Sequence, residues 1–513
     1  MTNPESGQRE LLPNVVASGI AYLIAAAIGF IMPRVIYDSV GPVALGLWDL
    51  GWSFLLYLTF SGIGFGPAIA HFMTFHRASD DAVAEAEVCA TGISLQVLFA
   101  CVIALVFVFG LNIVTSSTQM LSVGDVEVLA RLLVILGVAV FAVIVGDAAH
   151  GMLLASHKGR ITEYINVIHD IVLAVTMVSV LLMGFGIVGL AMATAALRVV
   201  AEVIRYAIAS SICPGFNFRA SNVKVNAAGS IMRYGIKTSA SVVQELVVLQ
   251  ATRLVLFLSA GPVALAAFSR YATIVRQLNR LIDRLSISIP TVASELDARG
   301  DVDAVRNLYI SSTRAALLVI LPALVIFWVL GDFIVKLWMG DEFVRPGLAW
   351  MLAGACALHA QYSISVRSLS GINKHGRITL ACLLASCLAL AATYTFSYPV
   401  LTDDAALSVS LVMLLTVHLP FALFASWRLQ VRWHENLRLI YFRPLAVNAG
   451  FLVLLMAVRS LYVDNLWFAG NSLLVVGLVL LVWIYWVFAL DQGNKQFMRG
   501  AVRTFGGARE LSG

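Results

Sequence analysis

Long, uninterrupted apolar runs recur along the whole chain and constrain its fold more than any other feature. A bilayer core requires about 20 apolar residues for one helical crossing. Because these runs are continuous and do not alternate with period two, they predict membrane helices and argue against a β-barrel. The 513-residue sequence gives about fourteen such spans, numbered here in chain order: 14–37, 45–72, 88–111, 128–151, 161–183, 187–210, 231–258, 262–290, 308–330, 346–370, 377–398, 405–427, 444–463 and 470–490.

The composition excludes the common soluble classes. Hydrophobic residues make up 60% of the chain and charged residues 12%. A soluble globular protein is about 45–50% apolar and about 25% charged. So little charge could not cover a water-facing surface, which excludes a soluble enzyme, a disordered chain and a nucleic-acid-binding protein of ordinary type. The fold class predicted is an all-α polytopic membrane protein.

The positive charges indicate an orientation in the membrane. Most Lys and Arg residues outside the spans fall in one alternating set of connections, whereas the other set carries only Arg34, Lys336, Arg345 and Arg459. Cytoplasmic loops are enriched in Lys and Arg. We therefore expect a multi-pass membrane protein with both termini in the cytoplasm. The N-terminal segment has no signal-peptide layout, so span 1 is expected to stay as an uncleaved anchor.

An internal repeat divides the chain. Ser39-Val-Gly-Pro-Val-Ala-Leu-Gly-Leu-Trp48 recurs 220 residues later as Ser259-Ala-Gly-Pro-Val-Ala-Leu-Ala-Ala-Phe268. Six spans separate the copies, so both copies have the same orientation, as in transporters with parallel repeats. The domains predicted are an N-lobe of spans 1–6 (1–210), a cytoplasmic linker (211–230), a C-lobe of spans 7–12 (231–430), and a final part with spans 13 and 14 and a cytoplasmic tail (431–513).

The repeated motif carries a resemblance to a known family. Gly41-Pro42, Gly46-Leu47-Trp48 and Gly62-x-Gly64-x-Gly66 resemble Wzx-type polysaccharide flippases of the multidrug/oligosaccharidyl-lipid/polysaccharide (MOP) exporter superfamily. The second copy fits the same pattern with Arg253-Leu-Val-Leu, Gly261, Phe268-x-x-Tyr271-Ala272 and Pro290. Spans 13 and 14 also resemble the extra helix pair of the MurJ-type lipid II flippases.

The resemblance implies two parallel six-helix lobes of the MATE/MOP type. It also implies a location in the bacterial inner membrane and alternating-access movement of an undecaprenyl-pyrophosphate-linked oligosaccharide across it, for polysaccharide biosynthesis and export. A polysaccharide polymerase or export machinery would be a further partner. Two alternatives stay open: a lipid II (peptidoglycan precursor) flippase and a MATE-type multidrug/cation antiporter. A membrane enzyme acting on the same lipid-linked sugar is disfavoured, because the outer loops are short and carry no convincing acid–base pair.

Span 8 carries the candidate binding site. At about 100° per residue its ionisable side chains fall within an arc of about 140°. Charges on a membrane helix avoid lipid and mark functional sites. We therefore expect this stripe to line a water-filled cavity in which arginines bind a pyrophosphate in a forked geometry. The stripe consists of Arg270, Arg276, Arg280, Asp283 and Arg284.

Other charged residues in the spans complete the candidate set. Arg34 and Arg253 hold nearly equivalent positions in the two copies, so we expect them to face the substrate cavity or to act as interface anchors. Asp49, Glu245 and Asp283 are the candidates for coupling to a H⁺ or Na⁺ gradient, because a buried carboxyl can exchange a proton. No cofactor, metal site or catalytic residue is expected, since the six Cys and nine His show no ligand spacing.

Overall fold

The computed structural model describes most of the chain, and within that part it is helical and contains no strand. The described residues are 4–61, 64–117, 121–156, 158–213, 218–286, 289–397, 418–463 and 475. Some helical stretches are described by their backbone alone, without side chains; the longest are 4–25, 56–61, 110–117, 236–252 and 392–397.

Thirteen longer helices follow one another in the described part. They are α1 Pro4–Ser61, α2 Phe65–Ala78, α3 Ala82–Ser117, α4 Val123–Ala155, α5 Gly159–Leu182, α6 Gly186–Ile212, α7 Val225–Leu285, α8 Ile289–Ala298, α9 Val302–Met339, α10 Leu348–Gly371, α11 Gly376–Ser397, α12 Leu419–Arg428 and α13 Phe442–Val463. Short helical turns lie at Ala220–Asn222, Asp341–Phe343 and Trp433–Glu435, and a π-helical turn lies at Asn436–Tyr441.

Seven helical stretches of the described part are long and apolar enough to cross a membrane. They are Ala26–Leu55, Ala82–Phe109, Val123–Ala155, Gly159–Leu182, Gly186–Ile212, Val302–Met339 and Trp433–Leu461. Large apolar side chains are exposed on their outer faces, for example Phe109 and Leu337. This is the surface that lipid would cover. Most of spans 12 and 14 lies outside the described residues.

Helix ends follow local sequence signals. Ser122 caps α4, because its side chain accepts a hydrogen bond from the Asp125 N–H. Asp301 caps α9 in the same way, with a bond of 2.9 Å from the Ala304 N–H. Such caps satisfy backbone donors that the first helical turn leaves without partners.

The repeated Gly-Pro motif has the same backbone conformation in both copies. Gly41 has φ 81° and ψ 178°, and Gly261 has φ 82° and ψ −179°. Only glycine adopts this region readily. The helix continues on either side, so spans 1 and 2 join across Gly41 in α1, and spans 7 and 8 join across Gly261 in α7. The sequence repeat is therefore also a repeat of backbone geometry.

Spans 2 and 8, two of the longer predicted spans, are each interrupted near their ends. In span 2, α1 is described to Ser61, and α2 begins after Gly64, which has φ 118°. Span 8 stops at Leu285 and resumes as α8. Gly64 therefore marks a break in the helix, because a residue with positive φ interrupts helical geometry.

The chain divides into two compact units. Unit 1 consists of Met1–Ser269 with Thr379–Val409, and unit 2 consists of Arg270–Ile378 with Ser410–Gly513. The boundary falls within α7. The predicted lobes were defined by the sequence repeat, whereas these units are defined by compactness. The limits of the lobes therefore stay a prediction.

Unit 1 is organised around α4. This helix packs against α2, α3 and α6, and its inward face joins a core that includes Ile69, Cys89, Met152 and Leu153. Small residues allow close approach: a Cβ at Gly151 would lie 2.4 Å from the Gly66 carbonyl oxygen. Close helix packing through small residues is a main source of cohesion inside membranes.

Unit 2 is organised around α9. This helix packs against α10 and α13. Val325 and Val329 of α9 form a buried apolar cluster with Phe451 and Leu455 of α13. The helix of span 13 is thus part of the same compact unit as spans 9 and 10.

Candidate functional site

The second half of α7 begins with a fully buried cation. Arg270 is 1% exposed, and its guanidinium carbon lies 5.9 Å from the ring centroid of Trp338. A cation over an indole face is stabilised by the ring quadrupole, more strongly when water is excluded. Arg270 therefore points into unit 2 and not toward lipid.

The other members of the stripe differ in exposure. Arg276 is half-buried and Arg280 is exposed, while the side chain of Arg284 lies outside the described residues. The helix thus presents a series of arginines whose exposure increases toward its C-terminal end. Such a gradient is suited to a binding site that opens to water at the C-terminal end of α7.

Asp283 is held by two partners on α10. Its Oδ1 accepts hydrogen bonds from Ser363 Oγ at 2.9 Å and from Arg367 at 3.2 Å. The acid of the stripe is therefore matched by a cation that the sequence analysis did not single out. Arg367 lies within predicted span 10, so its intramembrane position was the signal available. Together the five positions of the stripe and Arg367 keep an excess of positive charge.

The two repeat-related arginines occupy different environments in unit 1. Arg34 is half-exposed, forms an ion pair of 2.8 Å with Asp38 and lies over the Tyr37 ring. Arg253 is 8% exposed and donates to Ser53 Oγ at 3.1 Å. Sequence equivalence in the repeat therefore does not give the two cations equivalent surroundings.

The carboxyl candidates for ion coupling are described only in part. Asp49 is half-buried, and its main-chain carbonyl accepts a hydrogen bond from Ser53 Oγ at 2.7 Å. Ser53 thus connects the backbone at Asp49 to the Arg253 side chain. The side chain of Glu245 lies outside the described residues.

Unit 1 contains a half-buried carboxyl that the sequence analysis did not select. Asp147 of α4 accepts hydrogen bonds from the Gly66 N–H at 2.8 Å and from Gln96 Nε2 at 3.0 Å. It therefore caps the first turn of α2, just after the break of span 2. The three residues are far apart in sequence, so no local pattern could have revealed the arrangement.

A second buried charge cluster lies on α6. Glu202 forms an ion pair with Arg205 and lies 3.9 Å from Arg198. Arg205 also donates to Asn166 Oδ1 at 2.9 Å. A Cβ at Gly146 would collide with the Glu202 carboxylate, so the absence of a side chain there makes room for the pair. The cluster joins α5 and α6 by polar contacts and packs against α4 at Gly146.

Unit 2 contains a buried histidine pair that was also not selected. His359 Nδ1 and His418 Nε2 lie 3.4 Å apart, and both rings lie near the ring of Tyr362. In the same unit, Gln361 Nε2 donates a hydrogen bond of 2.9 Å to the Tyr309 hydroxyl oxygen. No cluster of three or more His, Cys, Asp or Glu with metal-binding geometry occurs among the described residues.

The fold resembles that of solved membrane transporters. An inward-facing multidrug-resistance MATE family transporter of the MOP superfamily matches with a TM-score of 0.64 and 14% identity, over 80% of this chain and 94% of that chain. The outward-facing form of a multidrug-resistance MATE family transporter of the same superfamily matches with a TM-score of 0.54 and 14% identity, over 81% and 93%.

A third solved structure is a MOP superfamily transporter from Pyrococcus furiosus Vc1 (DSM3638), described as having a binding pocket of reverse polarity that suggests a different function. It matches with a TM-score of 0.56 and 15% identity, over 81% of this chain and 95% of that chain. No protein-family model and no curated protein matches the sequence. The chain therefore has the polytopic all-α fold of MATE and MOP transporters, which confirms the fold class predicted from the sequence.

Proposed function

We propose that this protein is a flippase, which moves a polyprenyl-pyrophosphate-linked oligosaccharide across the bacterial inner membrane by alternating access. The observation that carries the proposal is the arginine series on the second half of α7, which begins with the buried Arg270 and continues through the half-buried Arg276. On a helix of a transporter fold, such a series is suited to a doubly charged anion.

The chemistry of a pyrophosphate explains the residue type. Guanidinium groups bind phosphate oxygens through paired N–H donors, and these charge-assisted bonds are stronger than neutral ones. Within the stripe, the acid Asp283 is bound by Arg367 and Ser363 of α10. We propose that the sugar occupies the water-filled part of the cavity while the polyprenyl tail stays in lipid.

The main alternative is a MATE-type antiporter for cationic drugs, and the likeness to MATE structures favours it. The charge of α7 argues against it, since a cation needs acidic or aromatic partners. The transporter described with a pocket of reverse polarity supports the idea that this fold accommodates ligands of either charge. A lipid II flippase would use the same pyrophosphate chemistry and differ only in the headgroup sugar and peptide.

The direction of transport would be set by a cation gradient or by the membrane potential. Asp49, Glu245 and Asp283 stay the proposed coupling carboxyls, and a polysaccharide polymerase stays a proposed partner. The predicted orientation would place the loading site on the cytoplasmic side.

The test is transport of a fluorescent short-chain polyprenyl-pyrophosphoryl saccharide in proteoliposomes. Loss of one charged hydrogen bond is worth about 1.5–3 kcal/mol, so we expect Arg276→Ala and Arg270→Ala to slow transport about tenfold or more. Arg131→Ala is the matched control, because Arg131 is an exposed arginine paired with Glu127 on α4. Wild-type rates in both variants, or transport of a cationic dye in place of the anionic lipid, would overturn the proposal.

A further inference from the structure

Unit 2 contains a cavity of about 230 Å³ beside α13, away from the arginine series of α7. Three elements contribute to it: α9, the start of α10, and α13. Its lining residues are Trp328, Val329, Asp332, Gly347, Ala349, Trp350, Met456 and Arg459.

The cavity holds one acid and one base that do not neutralise each other. Within the described part of the chain, Asp332 bonds to Tyr271, and Arg459 bonds to the Val329 carbonyl oxygen through a long contact of 3.4 Å. Neither side chain has an ion-pair partner there. A cavity lined by an acid and a base that do not pair with each other is suited to a zwitterion. Each charge of such a ligand would lie near a protein charge of opposite sign.

The acid is held firmly in place. The fully buried Tyr271 donates its hydroxyl hydrogen to Asp332 Oδ1 at 2.9 Å, and the same hydroxyl accepts the Arg345 N–H at 3.0 Å. The second carboxylate oxygen of Asp332 has no hydrogen-bond partner in the described part. An ammonium group would find there a fixed anion flanked by indole rings, which also attract cations.

The base is positioned differently. Arg459 is exposed, and only one of its guanidinium nitrogens makes a contact within the described residues. A guanidinium carries five N–H donors, so most of them remain for a phosphate. The contact to α9 keeps the side chain over the cavity.

The surroundings indicate a lipid as the source of the zwitterion. Trp328 is 46% exposed, Trp350 is 51% exposed and Met456 is 51% exposed. Trp350 lies at the start of α10, and half-exposed tryptophans near helix ends are typical of the membrane–water interface. Arg459, Lys336 and Arg345 also belong to the few cations outside the cytoplasmic set. The volume is below the range of about 300–1,000 Å³ of pockets for whole drug-sized ligands, which suits a headgroup alone.

We propose that this cavity binds the headgroup of a phospholipid with a phosphate and a primary amine, with the phosphate on Arg459 and the amine at Asp332. The acyl chains would extend along the apolar flank of α13. Binding would join α13 to α9 and α10 in addition to their apolar cluster. The site is independent of the proposed transport function.

The test is native mass spectrometry of the full-length protein with added phosphatidylethanolamine or phosphatidylglycerol. We expect the wild-type protein to retain phosphatidylethanolamine in preference to phosphatidylglycerol. Removing a charged contact should weaken binding about tenfold. Arg459→Ala should therefore reduce retention of both lipids, whereas Asp332→Asn, which keeps the Tyr271 hydrogen bond, should abolish the preference between them.

Lys336→Ala is the matched control, because Lys336 is a cation at the same end of α9, is paired with Asp341 and does not line the cavity. Its lipid retention should equal that of the wild type. Equal retention of the two lipids by the wild-type protein would overturn the proposal. Unchanged retention in Arg459→Ala would do so too, as would displacement of the lipid by soluble phosphoethanolamine alone at equal concentration, which would point to a free zwitterion.

Discussion

Gly46 lies so close to the main chain of Pro262 that a Cβ atom at Gly46 would be 2.0 Å from the Pro262 carbonyl oxygen. The contact joins the two copies of the repeated motif, since Gly46 follows the Gly41 turn and Pro262 follows the Gly261 turn. The bond between Arg253 and Ser53 also joins α1 to α7. The two motifs are therefore packed together at the end of the spans that the charge pattern assigns to the outer side.

Gly46→Ala tests whether this contact is needed. Because the clash is with backbone, relief requires separation of the two motifs, and overpacking costs about 1–3 kcal/mol. We expect the conformation with the motifs in contact to lose population about fivefold or more, measured by crosslinking of cysteines placed on the two motifs. Gly354→Ala is the control, since nothing lies within 4 Å of a Cβ there. Equal crosslinking in both variants would show that the contact does not hold the motifs together.

Asp147→Ala should destabilise the start of α2. The substitution leaves the Gly66 N–H and the Gln96 amide without their acceptor, and an unmet buried donor costs about 1–3 kcal/mol. Asp147→Asn keeps an acceptor oxygen, so it should lose less. Thermal unfolding in detergent measures the difference. An Ala variant as stable as the Asn variant would mean that Asp147 does not cap the helix in solution.

Glu202→Gln should be strongly destabilising, because it leaves Arg205 buried without its counter-charge. Breaking a buried pair by removing one partner costs about 3–5 kcal/mol. Glu127→Gln removes half of an exposed pair with Arg131, and such pairs are worth about 0–1 kcal/mol. We therefore expect a much lower unfolding temperature for Glu202→Gln than for Glu127→Gln. Similar temperatures would indicate that water reaches the Glu202 cluster.

Asp283 and Arg367 should behave as a coupled pair. In a double-mutant cycle of Asp283→Asn and Arg367→Gln, contacting residues typically show a coupling energy of about 0.5–3 kcal/mol. We expect each single variant to slow transport and the double variant to recover part of the loss. The exposed pair Glu295 and Arg299 on α8 provides the control cycle, with coupling near zero. Additive effects at Asp283 and Arg367 would argue that they act separately.

The helices and the repeated motif could be recognised from the sequence. Apolar runs predicted the helices, and the repeated Gly-Pro motif, which is visible in the sequence, has the same backbone conformation at Gly41 and Gly261. In span 2 the break falls within the glycine motif that the sequence shows. These features depend on residues that are close in sequence and on the number of apolar residues needed to cross a bilayer. Both can be read from a single sequence.

The polar contacts between helices could not be predicted from the sequence in the same way. Asp147 meets Gly66 and Asp283 meets Arg367 across more than eighty residues of chain, so their pairing depends on how the helices pack. The periodicity of span 8 placed its charges on one face, but it could not show that Arg270 is covered by Trp338 or that Asp283 is already bound. The difference between Arg34 and Arg253 likewise arises from neighbours that the repeat does not share.

The matched turns at Gly41 and Gly261 have a consequence for how such a chain can diverge. Because the bend at each turn depends on one glycine with positive φ, flanking residues outside the close contact at Gly46 can change while the path of the chain is kept. Duplicated halves can thus acquire unrelated surfaces on a shared template. One copy can specialise in ligand chemistry while the other retains structural duties.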